Sequence, residues 1–283
     1  AEPTNALVFA AWARVDCRYF TENYDWSEAR QDAARKHVAQ AVALAPDRFE
    51  VRLARAVSMK ELADKAGSAE VLRIWQGLAK ERPTDVDVLH SLVWCHFNAG
   101  DPATALATLD RIESLGGTNA RTMFNRGLIH LLKRRFGEAM PLFEGATERE
   151  PAVKYLLWRS YLETIWLGRP DLARRTLAQI PADYFFEDMP ASAKYFVECR
   201  ARDFEAALAS IRAIPRDYVQ SSAGAFPTGY LRGRALKFLG RTAAAEAEWT
   251  GALAAVERRL AANPNDRDLL QSQAVLLAAL GRN

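Results

Sequence analysis

Histidines and cysteines are the residues of this chain that could hold a metal ion or supply a nucleophile, and their spacing favours neither role. Cys17, Cys95 and Cys199 lie far apart and form no CxxC pair, so neither a zinc site nor a disulfide framework is predicted. His90 and His96 are six residues apart, which does not place them on one face of a helix. The sequence has no HExxH, GxSxG or glycine-rich phosphate-binding motif. We therefore expect no metal, no cofactor and no enzymatic activity.

Two of the cysteines have an arginine directly beside them. Arg18 follows Cys17 and Arg200 follows Cys199, and the charge of an arginine could lower the pKa of a thiol. No histidine lies near either cysteine in sequence, so the chain offers no evident base to activate them. The favoured interpretation is that all three cysteines pack as small apolar residues.

The composition is that of a folded protein with balanced charge. Hydrophobic residues make up 49% of the 283 positions and charged residues 26%, which excludes extensive disorder. The formal net charge is +3, from 38 basic and 35 acidic residues, and this balance argues against a nucleic-acid partner. No run reaches the roughly 18 apolar residues of a membrane span. We expect no membrane span, and we favour the cytoplasm as the compartment.

Helical periodicity runs through nearly the whole chain. In the first third, apolar residues recur at spacings of three and four over Ala6 to Phe20, Ser27 to Leu44, Phe49 to Asp64 and Ala69 to Glu81. Asp25 or Ser27 is a candidate N-cap for the second of these helices. Strand signals are nearly absent, because the few β-branched residues do not alternate. The segments from Phe185 to Pro190 and from Ser221 to Thr228 are expected to be loops.

A 34-residue period organises these helices. Ile180-Pro181 recurs as Ile214-Pro215, and Gly100-Asp101 corresponds to Arg134-Arg135, with the same offset between the copies in each case. This is the known period of a repeated helix-turn-helix unit. Stacked helical hairpins usually present a binding surface, so the period also favours a binding function over a catalytic one.

The unit from Ala120 to Pro151 shows the pattern most clearly. Gly127 and Ala139 are small, as two closely paired helices require at the point where they meet. Phe143 is placed to fill the space between neighbouring hairpins, and Pro151 cannot continue the helix, so it forces a turn into the next unit.

This pattern resembles the tetratricopeptide-repeat family over essentially the whole chain. The resemblance implies an all-α fold, a right-handed α-α superhelix of about 7.5 helical hairpins in a single repeat domain over residues 1–283. Glu2-Pro3 and the C-terminal Gly281 each fall within an incomplete unit, so we expect the array to be part of a longer array or protein. The segment Tyr24-Asp25-Trp26-Ser27, with the helix after it, also resembles repeat regions attached to bacterial signalling proteins.

The resemblance further implies that five places on the first helix of each unit line the inner face of the superhelix. Here these places hold mostly aromatic, apolar and basic side chains, and two interpretations stay open: a binding groove, or side chains buried by the array itself. The candidate partner-binding residues are His90, Trp94, Asn98, Arg121, Phe124, Tyr155, Trp158, Leu162, Trp166, Phe196, Arg200, Tyr230, Arg234 and Lys237. The same face also holds Phe97, Leu128, Leu131, Ile165, Cys199 and Phe238.

A groove of this composition favours a protein partner. Aromatic and arginine side chains are the usual anchors of protein interfaces, so the favoured function is a non-catalytic scaffold that binds a protein or peptide in its groove. The partner is expected to carry apolar anchors together with acidic groups or a free carboxylate. The alternative is a sensor or regulatory segment of a bacterial signalling protein that binds a small ligand or a subunit.

Overall fold

The structure of the protein is a computed structural model that describes residues 5–21, 28–62, 68–186, 188–212, 214–221 and 224–282. The chain divides into two compact units, Ala1–Arg135 and Phe136–Asn283. One continuous repeat domain over the whole chain stays a prediction. The candidate N-caps Asp25 and Ser27, with the rest of the 24–27 segment, lie outside the described residues.

The first unit consists of α-helices that pack in sequential order. Their bounds are α1 Ala6–Thr21, α2 Glu28–Leu44, α3 Phe49–Leu62, α4 Ser68–Glu81, α5 Val86–Asn98, α6 Pro102–Gly116 and α7 Ala120–Leu132. The helices expected in the first third of the chain are confirmed to within two residues at each end. Asp85 caps α5 by accepting hydrogen bonds from the backbone N–H groups of Asp87 and Val88.

Small residues allow the helices of the first unit to pack closely. Ala105 and Leu109 on α6 are fully buried in one core cluster with Leu89 and Val93 on α5. Trp75 of α4 is 1% exposed in the same cluster. The predicted places for small and aromatic residues therefore do form the interior of the hairpin stack.

The second unit contains helices and one strand pair. Its elements are α8 Phe136–Arg149, α9 Val153–Ile165, α10 Pro170–Leu177, a 3-10 turn at Ala182–Phe186, α11 Asp188–Arg200, α12 Phe204–Arg212, β1 Tyr218–Ser221, β2 Gly224–Pro227, α13 Thr228–Phe238, α14 Thr242–Ala262 and α15 Arg267–Ala279. Gly233 lets α13 approach α14, because a Cβ at this position would lie 2.3 Å from Nε1 of Trp249. Trp249 is 5% exposed, and its Nε1 donates to the Tyr230 carbonyl at 3.2 Å.

The repeat period is visible in the backbone of the inter-helix turns. Gly100, Arg134, Gly168 and Arg202 all have positive φ, between 58° and 82°, and each stands one repeat period after the previous one. Each follows the first helix of a pair and reverses the chain toward the second. Two of the four are arginines in a conformation that favours glycine, so the turn geometry is retained even where the glycine is not.

The strand pair corrects the expectation of a loop from Ser221 to Thr228. β1 and β2 form an antiparallel hairpin with Val219 opposite Phe226, and Val219 is fully buried. Thr228 anchors its end, since its N–H donates to the Asp217 carbonyl at 2.8 Å and its hydroxyl to the Arg216 carbonyl at 2.6 Å. The expected loop from Phe185 to Pro190 is also only partly correct, because α11 already begins at Asp188.

Candidate binding pocket of the second unit

A cavity of about 480 Å³ lies among α9, α11, α12 and α13 in the second unit. Aromatic rings make up much of its wall: Trp158, Tyr161, Phe196, Phe204 and Phe238. Trp158 and Tyr161 contact each other edge to face, with ring centroids 5.9 Å apart. A concave site with apolar walls and a few polar groups is the usual form of a ligand or anchor-residue pocket.

Helical spacing brings these side chains together. On α9, Trp158, Tyr161 and Ile165 are three and four residues apart and therefore share one face. On α11, Phe196 and Cys199 lie three residues apart and both line the cavity. The cavity is thus formed largely by first helices of successive hairpins, as a groove in this fold would be.

The repeat also places matching residues on successive hairpins. Arg200 and Arg234 are one repeat period apart, and both line the cavity. Phe204 and Phe238 are related by the same offset, and their rings stack with centroids 4.6 Å apart and planes at 10°. This stacked pair forms one wall of the cavity.

The β-hairpin packs against Phe196, one of the residues that line the cavity. The Phe226 ring lies 5.9 Å from Phe196 and 6.5 Å from Tyr230, measured between centroids. Tyr230 therefore packs against the hairpin and does not line the cavity, although its repeat place predicts a groove residue.

The charged residues of the cavity wall are all arginines. Arg200, Arg202 and Arg234 line it, and none of the three has an ion-pair partner among the described residues. Other arginines of the same unit are paired: Arg174 contacts Glu198, and Arg241 contacts Glu205. The cavity therefore carries an uncompensated positive charge at its edge.

Cys199 is a half-buried thiol in the cavity wall. Burial raises the pKa of this thiol, which outweighs the opposing influences of the Tyr195 side chain and the Arg234 charge. The sequence suggestion that a neighbouring arginine could activate Cys199 is wrong in direction, because desolvation dominates.

Four of the predicted partner-binding residues meet in the cavity: Trp158, Phe196, Arg200 and Arg234. Four others belong to the interior of their units. His90 is 1%, Phe124 6%, Tyr155 2% and Leu162 0% exposed, so these side chains pack as core and offer no contact surface.

The remaining predicted residues stay accessible but lie outside the cavity. Trp94 is half-buried against Phe97, and Asn98, Trp166 and Lys237 are exposed. Arg121 is exposed too, yet it is ion-paired, because its Nη1 lies 2.6 Å from Oδ1 of Asp87. That guanidinium also holds the pKa of the Asp87 carboxyl below its usual range.

Sequence reasoning missed several residues of the cavity wall, three of which are aromatic or charged. Tyr161, Arg202 and Phe204 all line it. Tyr161 stands at a repeat place where a small residue is expected. The repeat pattern therefore identifies it as a departure from the family and does not indicate that it lines a cavity. The offset of one repeat period between Phe204 and Phe238 was the signal that could have identified Phe204.

Two further properties concern the described residues as a whole. None of their helices is long and apolar enough to cross a membrane. Within the same ranges, no three His, Cys, Asp or Glu side chains are grouped so that they could hold a metal ion.

No protein-family model matches the sequence, and no curated protein sequence matches it. Among solved structures, a tetratricopeptide repeat protein from Parabacteroides merdae matches with a TM-score of 0.55 at 12% identity, over 95% of this chain and 98% of the other.

Two further solved structures give similar values. The APC/C hetero-tetramer Cut9-Hcn1 matches with a TM-score of 0.58 at 12% identity, over 88% of this chain and 46% of the other. The human IFIT1 dimer with m7Gppp-AAAA matches with a TM-score of 0.58 at 12% identity, over 95% of this chain and 68% of the other.

The chain has the fold of tetratricopeptide-repeat proteins. At this level of identity the likeness concerns the fold alone. The tetratricopeptide-repeat fold predicted from the sequence period is confirmed.

Proposed function

We propose that this tetratricopeptide-repeat-like protein is a non-catalytic scaffold that binds a segment of a protein partner at the pocket of its second unit. A bulky apolar side chain of the partner would enter the cavity, and acidic groups beside it would contact the arginines at the edge. The observation that carries the proposal is the meeting of Trp158, Phe196 and unpaired Arg200 and Arg234 around one cavity.

The chemistry of these residues suits a protein interface. Tryptophan, tyrosine and arginine are enriched among the few residues that dominate protein interfaces, and truncating such a residue costs about 2 kcal/mol or more. Because Arg200 and Arg234 have no ion-pair partner among the described residues, an acidic group would gain charge-assisted hydrogen bonds without breaking an existing pair.

The fold is compatible with more than one kind of partner. One structure that shares it is a hetero-tetramer of protein chains, and another contains m7Gppp-AAAA. The near-neutral charge and the apolar wall of the cavity favour a protein segment for this chain, since nucleic acid is bound mainly through extended basic surfaces.

Selection from a random peptide library on the immobilised protein tests the proposal. We expect enriched peptides to combine a large apolar residue with Asp or Glu. Their affinity should fall at least about tenfold for the Trp158→Ala variant. Trp94→Ala is the matched control, because Trp94 is also half-buried but lies in the first unit. Equal binding by wild type and Trp158→Ala would refute the pocket as the site.

A further inference from the structure

The interior of the cavity is suited to hydrocarbon more than to peptide backbone. Its buried hydroxyls are already engaged: Ser160 donates to the Leu157 carbonyl at 2.8 Å, and Thr164 donates to the Ser160 carbonyl at 2.7 Å. The Ser192 hydroxyl donates to the Met189 carbonyl at 3.0 Å. A backbone carbonyl inserted among them would find these hydroxyl donors already used, so it would have to break one of these bonds or stay unpaired, which is costly, whereas a hydrocarbon chain or ring loses nothing.

The size of the cavity fits a small molecule. Its volume of about 480 Å³ falls within the range of small-molecule sites, roughly 300–1,000 Å³. The stacked rings of Phe204 and Phe238 form one wall, and Phe196 is fixed on another side by Phe226 of the hairpin. The wall is therefore built by packed aromatic rings before any ligand enters.

The charged side chains at the edge of the cavity are positive. Arg200 ends α11, Arg202 lies in the turn after it and Arg234 lies on α13, and all three line the same cavity. The Arg202 backbone has a φ of 60°, which holds this residue in the tight turn beside Phe204. A carboxylate at this edge would meet guanidinium groups that no described carboxylate neutralises.

We propose that this cavity binds a small amphipathic carboxylate, with its acyl chain or aryl ring among the aromatic side chains and its carboxylate at Arg200, Arg202 and Arg234. The proposal goes beyond the scaffold function, because it concerns a free small molecule and needs no protein partner. A molecule bound in this way would occupy the space of the partner's anchor side chain, so it would regulate capture by competition.

Cys199 provides the assay for this proposal. Cys17 and Cys95 are buried, whereas Cys199 is half-buried in the cavity wall, so a ligand in the cavity would shield its thiol. The full chain is treated with a maleimide reagent in mildly alkaline buffer, because burial raises the pKa of this thiol. Mass spectrometry then measures how fast Cys199 is alkylated as decanoate is added.

The probes separate charge from hydrophobicity. We expect decanoate to slow Cys199 alkylation in a saturable way, with decanol at least about tenfold weaker and decylamine without effect. The Arg234→Gln variant should weaken protection by decanoate about tenfold. Arg175→Gln is the matched control, because Arg175 is an exposed arginine of the same unit outside the cavity wall.

Two results would overturn the proposal. The first is an alkylation rate that does not change with decanoate, which would mean that the cavity does not take the acyl chain. The second is equal protection by all three probes, or by wild type and Arg234→Gln, which would mean that the arginines do not select a carboxylate. Because no peptide is present, either failure leaves the result of the peptide selection unaffected.

Discussion

His90, Phe124 and Trp158 occupy the same place in three successive repeats, yet they differ in what surrounds them. In the first unit, His90 and Phe124 are 1% and 6% exposed. In the second unit, Trp158 is half-buried and lines an open cavity. Residues at the same repeat place leave their helices in the same direction. The helices packed next to them determine whether the side chain is buried in the core or lines a pocket.

Polar partners follow the same division between the units. In the first unit, the Asn125 amide lies 3.0 Å from Nδ1 of buried His90, and Arg121 is paired with Asp87. In the second unit, Arg200 and Arg234 have no such partner among the described residues. The first-unit face pairs Nδ1 of His90 and the Arg121 guanidinium internally, although Nε2 of His90 is buried without a hydrogen-bond partner among the described residues. The second-unit face keeps Arg200 and Arg234 without an ion-pair partner in that part of the chain.

Phe124→Ala is expected to have the largest effect. Removing a buried aromatic ring leaves a cavity in the first unit and should lower the free energy of unfolding by about 3–5 kcal/mol. Urea denaturation measures this change. Leu132→Ala is the control on the same helix, because Leu132 is 54% exposed and its loss should cost less than about 0.5 kcal/mol. Similar losses of unfolding free energy for the two variants would mean that Phe124 is not a core residue.

Two glycine-to-alanine substitutions on the paired helices α13 and α14 should change the stability of the protein in opposite directions. A methyl group at Gly233 would meet the Trp249 ring at 2.3–2.8 Å, so Gly233→Ala should destabilise the protein by about 1–3 kcal/mol. Gly251 lies on α14 with nothing within 4 Å of its Cβ position, so Gly251→Ala should stabilise by up to about 1 kcal/mol. Thermal unfolding compares the two, and a shift in the same direction would contradict the α13–α14 packing.

Acid should weaken the first unit through His90. Burial lowers the pKa of His90 to about 4, from about 6.5 in the unfolded chain. Below the unfolded value the unfolded chain binds the proton and the folded chain does not, so stability falls as the pH drops from 6.5 toward 4. We expect a loss of about 1 kcal/mol between about pH 7 and pH 5.5 that is absent in His90→Gln. An identical pH dependence in both proteins would show that His90 is accessible to solvent.

The smallest effect is expected for Arg121→Gln. Arg121 and Asp87 form an exposed ion pair, which contributes less than about 0.5 kcal/mol to stability. Because Arg121 lies outside the pocket, its loss should also leave peptide binding unchanged, whereas Arg234→Gln should weaken it about tenfold. Titration of a selected peptide by fluorescence anisotropy compares the two variants. A larger loss of peptide affinity with Arg121→Gln than with Arg234→Gln would indicate that the peptide binds to the first unit.

Much of the fold could be predicted from the sequence because repeated helices carry local signals. The bounds of α1 to α4 and the start of α15 at Arg267 follow from periodicity and helix breakers. The β-hairpin could not be predicted in this way, since four-residue strands are too short for an alternating pattern to stand out. Its strands are held by Val219 and Thr228 through contacts that only the folded unit provides.

The candidate site was predictable only in part. Trp158, Phe196, Arg200 and Arg234 were identified because their repeat places point to one face. Tyr155 and Leu162 carry the same kind of pattern, but they are 2% and 0% exposed. The difference arises from which residues of other helices pack against each side chain, and the sequence of α9 alone does not contain this information.

The most direct test of the account measures melting temperature and peptide affinity together for Trp158→Ala. If the pocket is a binding site, affinity for a selected peptide should fall at least about tenfold. The melting temperature should fall by no more than roughly 2–4 °C, which corresponds to about 1 kcal/mol in a chain of this size. A much larger drop in melting temperature with unchanged affinity would contradict the account and would make Trp158, like Phe124, a core residue.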